Sequence, residues 1–246
     1  MTETQRSEHE RYWTPHNIRA AVTPTGVVLL DLERNRYLGL GVTHAQEIAA
    51  LAANWRDISN EAHPLPALSH PVEAARRAAL VDAGLLSRNP PKIGFVTTLV
   101  DLTVQLTSIG RQEQVVVAIR PHHIVTFIRA CWWAKRVLHS RSLYSVACEV
   151  SETKRRHLAL PSNPQRTIEL TCVFRRLRPY AFTSRDRCLF HALALLRFLG
   201  HYGSYPTWVI GVCARPWMAH SWLQLDHCVL DSSPEEICSF TPILAI

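Results

Sequence analysis

The chain has 246 residues, 47% of them hydrophobic, and carries 27 Lys and Arg against 20 Asp and Glu, a net charge of +7. That much apolar material excludes a disordered chain and suffices for one large core or two modest ones. No apolar run approaches the length of about eighteen residues needed to span a membrane, and the polar, charged start of the chain is unlike a secretory signal, so a cytoplasmic protein is expected.

In chain order, residues 19–22, 27–32 and 36–40 read as three strands, separated by Pro24-Thr25-Gly26 and by Arg34-Asn35. Thr43 is placed to cap a helix running to about Trp55, with Ile48, Leu51 and Trp55 on one face. Pro71 is placed to open a second helix that runs to about Asp82 and is closed by Gly84. The run Ser87-Arg88-Asn89-Pro90-Pro91-Lys92 reads as a linker, dividing the chain into residues 1–88 and 89–246. Residues 95–106 and 124–138 are apolar enough for helices.

The positive excess is concentrated in the middle third, where residues 91–187 hold 16 Lys and Arg against 6 Asp and Glu. Its clusters, Lys154-Arg155-Arg156 and Arg175-Arg176-Leu177-Arg178, lack the aromatic interleaving of a single-strand platform, so no nucleic-acid partner is expected.

From Cys188 onward the pattern is that of a core helix, with Leu189, Leu193, Leu196 and Leu199 at helical spacing. Thr183 with Asp186 resembles a capping box, and Gly200 is placed to end the helix. Cys188 then sits in or near the first turn, where free N–H groups and the positive end of the helix dipole favour a nucleophilic thiolate. Residues 207–212 follow as a covered strand, and 219–225 with 228–231 as a β-hairpin. If Asp226 and His227 make its turn, Leu225 faces Cys228, Trp222 faces Asp231, and His220 becomes the diagonal neighbour of Asp231. Cys188, His220 and Asp231 are therefore candidates for nucleophile, general base and orienter. Cys228 is a rival nucleophile that lacks the helix end. The seven cysteines form no C-x-x-C pair and no compact zinc pattern, so neither a disulfide scaffold nor a metal is expected.

Cys-x-x-x-Ala-Leu-Ala-Leu from Cys188, Ile-Gly-Val from Ile210, Pro-Trp-Met-Ala-His-Ser-Trp from Pro216 and Val-Leu-Asp-Ser-Ser-Pro from Val229 together resemble the B protein of lasso-peptide biosynthesis. The resemblance implies a transglutaminase-like, papain-like cysteine protease domain with a helical insertion region. It also implies removal of the leader from a ribosomally made precursor by Cys188, His220 and Asp231, with no cofactor, and an ATP-dependent, asparagine-synthetase-like macrolactam synthetase as partner.

The stretches Gly-Val-Val-Leu-Leu-Asp-Leu from Gly26 and Arg-Tyr-Leu-Gly-Leu from Arg36 resemble the precursor-recognition domain related to the pyrroloquinoline-quinone peptide chaperone. That implies an α+β chain whose N-terminal unit is a winged-helix-like domain of a three-stranded sheet plus helices. It further implies a leader peptide added to a sheet edge. Carried over, Arg36, Tyr37, Leu38 and Leu40 would be the edge contacts, and Val72, Arg76 and Leu80 the facing wall. Two other functions fit the same residues: acyl transfer to an amine, as in transglutaminases, and a non-catalytic peptide chaperone.

Overall fold

The computed structural model describes residues 11–60, 65–92, 95, 97, 107–108, 117–157, 163–181 and 188–246. It is a mixed α+β chain with two small sheets. The first sheet contains β1 (Ile18–Thr23), β2 (Gly26–Asp31), β3 (Arg36–Leu40) and a short β4 (Ser59–Asn60), in the order β3-β2-β1-β4. The three expected strands form an antiparallel meander, and β4 is added parallel to β1. Asn35 makes the β2–β3 turn in the left-handed conformation (φ 53°), which Asn tolerates better than most residues.

The helices of this unit depart from the sequence expectation at their ends. Helix α1 spans Val42–Leu51 with Gly41 at its N-cap, so Thr43 lies inside the helix and caps nothing. The expected run to Trp55 is interrupted at Ala52, and Trp55–Ile58 is a separate short helix, α2. The break has a tertiary cause. The backbone of residues 12–14 lies here: Ala53 N–H donates to the Tyr12 carbonyl (2.9 Å), and the buried Asn54 side chain both accepts from Thr14 N–H (2.7 Å) and donates to its carbonyl (3.0 Å). Helix α3 (Ala74–Asp82) starts three residues after Pro71 and ends at Gly84 (φ 71°), as its glycine signals.

The strand sequences Ile-Arg-Ala-Ala-Val-Thr and Gly-Val-Val-Leu-Leu-Asp show no apolar-polar alternation, and the structure supplies the reason: both faces of the sheet are covered. Ala20, Val22, Val27 and Leu29 pack with α1–α3 around Ile48, Trp55 and Leu80. Ala21, Val28 and Leu30 face the other way and join the core built from the rest of the chain.

That larger core is formed by α4 (Pro121–Ser140), α5 (Leu143–His157), α6 (Pro164–Leu177) and α7 (Cys188–His201) against a second sheet. Its strands are β5 (Thr107–Ser108), β6 (Thr207–Cys213), β7 (Met218–Leu225), β8 (Cys228–Val229) and β9 (Thr241–Ala245), in the order β5-β8-β7-β6-β9. A four-residue helix, α8 (Pro234–Ile237), precedes β9. The expected helix over 124–138 lies within α4, whereas the one over 95–106 falls almost wholly outside the described residues. No described helix is long and apolar enough to cross a membrane.

The first sheet is tied to the rest of the chain by specific bonds. Leu143 and Tyr144, the first residues of α5, donate their N–H groups to Asn35 Oδ1 (2.7 Å) and to the Leu32 carbonyl (2.9 Å). The β2–β3 turn thus satisfies donors that a helix start leaves unpaired. At the far edge, Asn60 Nδ2 donates to the Pro242 carbonyl on β9 (3.0 Å).

Because Leu30 is buried between the first sheet and the helical layer, Leu30→Ala is expected to cost about 2–5 kcal/mol. It should lower the urea midpoint followed by far-UV circular dichroism and by tryptophan fluorescence together. A variant that shifts one signal and leaves the other in place would show that the two halves unfold separately.

Candidate active site

Helix α7 is buried along nearly its whole length, with Ala192, Leu193, Ala194, Leu195, Phe198 and Leu199 fully enclosed by α4, α6 and β7. Cys188 is its first residue and is half-buried. The capping residues expected at Thr183 and Asp186 lie outside the described residues. The helix also runs past Gly200, which packs against the Tyr205 ring, and the left-handed residue that ends it is Gly203 (φ 79°).

The hairpin has the register expected from its two-residue turn. Leu225 pairs with Cys228, Leu230 N–H bonds to the Leu223 carbonyl, and Asp226 takes the left-handed conformation (φ 51°). Gly211 is paired with His220 across β6 and β7. A Cβ at Gly211 would lie 2.7 Å from the Trp222 ring and 2.9 Å from Phe240 Cβ, so glycine is what admits these rings.

Those rings flank His220. The imidazole stacks at 6.0 Å on Trp222, with 18° between planes, and lies 5.5 Å from Phe240. Its Nε2 is 2.9 Å from Ser232 Oγ. Burial lowers the His220 pKa, with Glu236 pulling weakly the other way, so the ring is held neutral near pH 7, the state a general base requires.

Asp231 lies deeper. Its Oδ1 accepts from Leu223 N–H (2.8 Å), and its Oδ2 is 3.6 Å from His191 Nδ1, on the turn of α7 that follows Cys188. Among the described residues no hydrogen bond joins Cys188 to His220, or His220 to Asp231. The residue bonded to His220 is Ser232, and the residue beside Asp231 is His191. Burial pushes Asp231 up to about 7, although the Leu223 N–H and the charges of Arg175 and Arg178 pull it down. Burial, reinforced by Arg178, Arg175 and His220, drives His191 down to about 3. The pair is therefore no ion pair near neutrality: His191 is uncharged and the Asp231 carboxyl is partly protonated.

The first sheet reaches this region through β3, an edge strand. Tyr37 turns toward the large core, and its ring meets Trp217, in the loop before His220, edge-on at 5.4 Å. Burial pushes its phenol up to about 12, with the nearby Cys188 adding to the shift. Leu38 and Leu40 point the opposite way, into the core that holds Leu80. Arg36 is exposed and lies 3.7 Å from Asp31, and the backbone at Gly39 borders open space. Val72 and Leu80 are buried, and Arg76 is ion-paired with Glu47 of α1 at 2.8 Å. Of the seven residues expected to touch a peptide, Tyr37 is thus the one that packs on the loop before His220.

Ser232, His191, Phe240 and Gly211 were not expected. His191 had a readable signal, since it follows Cys188 by three residues and so shares its helix face. The contact of Ser232 with His220 depends on how the chain leaves β8, which the strand pattern does not encode. No group of three or more His, Cys, Asp or Glu among the described residues is placed to hold a metal ion.

Residues 125–245, which include Cys188, His220 and Asp231, match the model of the transglutaminase-like superfamily. This part of the chain is a transglutaminase-like domain, and the match supports thiol hydrolysis or acyl transfer as the general kind of chemistry. Neither the curated proteins nor the solved structures give a match.

The His191–Asp231 pair has opposed pH signatures. Asp231 binds its proton more tightly folded than unfolded, so its contribution to stability is complete below about pH 4 and is lost as pH rises through about 7. His191 does the reverse: its contribution is complete above about pH 6.5 and is lost as pH falls toward 3. In the native chain the slopes oppose each other between about pH 4 and 6.5. Relative to the wild type, the slope of the urea midpoint against pH should become more positive in Asp231→Asn and more negative in His191→Gln across that window. Changes of slope of the same sign in both variants would refute the assignment.

Proposed function

We propose that the chain is a cysteine peptidase that binds the leader of a ribosomally made lasso-peptide precursor and cuts it from the core peptide. An ATP-dependent macrolactam synthetase would then close the ring on the freed amine. The observation that carries this reading is the placement of Cys188 at the start of a buried helix in a transglutaminase-like domain, with the edge strand β3 packed through Tyr37 on Trp217 in the loop before His220. An extended leader added to the outer edge of β3 would deliver its junction toward Tyr37 and Trp217. Residues 1–88 would recognise the leader and residues 89–246 would cut it, in the cytoplasm where precursors are made.

In the reaction, the Cys188 sulfur bonds to the scissile carbonyl carbon while His220 takes the thiol proton. His220 then gives that proton to the core peptide's nitrogen as the C–N bond breaks, leaving the leader as a thioester on Cys188. Water, deprotonated by His220, hydrolyses the thioester and restores the thiol. Backbone N–H groups at the start of α7 are the natural donors to the oxyanion. Catalytic hydrogen bonds of free enzymes often tighten only around the substrate, which accommodates the absence of a direct bond between Cys188 and His220. Asp231 acts as orienter through the hairpin: it fixes Leu223, three residues after His220, and precedes Ser232, which holds the ring.

Mass spectrometry of a lasso-type precursor encoded beside the gene, incubated with each form of the chain, tests the proposal. The wild type is expected to release an intact leader, Cys188→Ala to release none, and Cys228→Ala to retain most of the activity. Cleavage by Cys188→Ala, or its loss only in Cys228→Ala, would overturn the site. The neutral form of His220 is the active one and its pKa is lowered, so kcat/KM should rise with pH to a plateau whose midpoint lies below the ordinary histidine value of about 6.5. A midpoint above that value would assign the base to another group.

A further inference from the structure

A second site lies at the opposite end of α7, about twelve residues and therefore about 18 Å along the helix from Cys188. Here α4, α5, the end of α7 and the segment leading into β6 enclose a cavity of about 720 Å³. Pockets of roughly 300–1,000 Å³ are the size that holds small organic ligands.

The lining combines fixed positive charge with flat rings. Arg129, Lys154 and Arg197 face the space, and the carboxylate that also lines it, Glu149, is ion-paired with Arg141. Among the described residues none of the three cations has a carboxylate within ion-pairing distance. Lys154 Nζ donates to Thr207 Oγ1 at 2.9 Å, and burial lowers its pKa. Beside these charges stand Trp132, which is 63% exposed, and Trp133, over which the Arg197 guanidinium lies at 5.2 Å. The opposite side is a parallel stack of His157 on Tyr205, with centroids 4.6 Å apart and 4° between planes. Cations without counter-charges in a partly enclosed space favour an anion, and aromatic faces beside them favour a ring.

We propose that this cavity binds an organic anion built on a flat aromatic ring, with Lys154, Arg129 and Arg197 meeting the charged group and the Trp132–Trp133 and His157–Tyr205 faces meeting the ring. Two sources present this chemistry: a free mononucleotide, and the aromatic C-terminal residue of a peptide. The site is independent of the thiol chemistry at the other end of the helix.

Isothermal titration calorimetry with two matched pairs of probes tests the proposal on the full chain: adenosine monophosphate against adenosine, and N-acetyltryptophan against N-acetyltryptophanamide. At least one anion is expected to bind about ten-fold or more tightly than its neutral counterpart, as a charge-assisted contact requires. The pair that discriminates identifies the source. Lys154→Gln and Arg197→Gln should each weaken the anion by a similar factor, as should Arg129→Gln, whose exposed side chain can be changed without disturbing the fold. Leader cleavage should survive in all three variants. Failure of both anions to bind at millimolar concentration, equal binding of neutral and anionic partners, or affinities unchanged by the three substitutions would each overturn the site.

Discussion

Cys188 has a defined position because the helix behind it is packed almost without solvent. From Ala192 to Leu199 the side chains of α7 lie against α4, α6 and β7, and Arg197 is the one exposed residue in that run. Each fully buried Leu or Phe contributes about 1.5–3 kcal/mol relative to exposure, so sliding or turning the helix would forfeit several such terms at once. The first turn inherits that rigidity. A cysteine on a loop could be equally reactive, but it would not be held at a fixed distance from β7. The same packing brings His191 inward, and with it a polar ring that must sit beside Asp231 in a nearly dry space.

The second constraint is the two-sided burial of the first sheet. A three-stranded sheet with one covered face would form an appendage free to move against the rest of the chain. Here Ala21, Val28 and Leu30 belong to the same core as α4–α7, and the β2–β3 turn supplies the acceptors for the start of α5. Tyr37 extends this contact to Trp217. The first sheet is consequently packed into the same core as the helix that carries Cys188. A strand added to the outer edge of β3 would be aimed by the fold itself, with no hinge to order first.

How much of this was legible in the sequence depends on the range of the interaction concerned. The three strands, the glycine that ends α3, and the Leu225–Cys228 pairing of the hairpin follow from local pattern and turn chemistry, and all are present. The misplaced boundaries have distant causes. Helix α1 stops where Asn54 is claimed by Thr14, forty positions earlier, and α7 runs past Gly200, beside the Tyr205 ring, to a left-handed Gly203. At the site, the residue types and their order along the chain were readable, but their partners were not. A diagonal placement of His220 and Asp231 follows from register, yet the carboxylate turns toward α7, and Ser232 takes the place beside the imidazole. Period-two reasoning describes a strand, and β8 ends at Val229, two residues before the carboxylate it was used to place.

The burial of Asp231 carries the last step. An ionised carboxylate held only by backbone donors, with its Oδ2 unbonded among the described residues, is costly in an apolar interior. The site meets that cost in two ways. Arg175 and Arg178 on the neighbouring α6 segment stabilise the charge from a distance, and a pKa of about 7 leaves part of the population protonated. Both effects disfavour a proton on His191, as burial and the neighbouring His220 also do, while burial alone accounts for the lowered pKa of His220. A neutral imidazole can accept the thiol proton, whereas a charged one cannot. The buried carboxyl and its neighbouring imidazole thus lie side by side without a full charge on either, which is what a nearly dry interior tolerates.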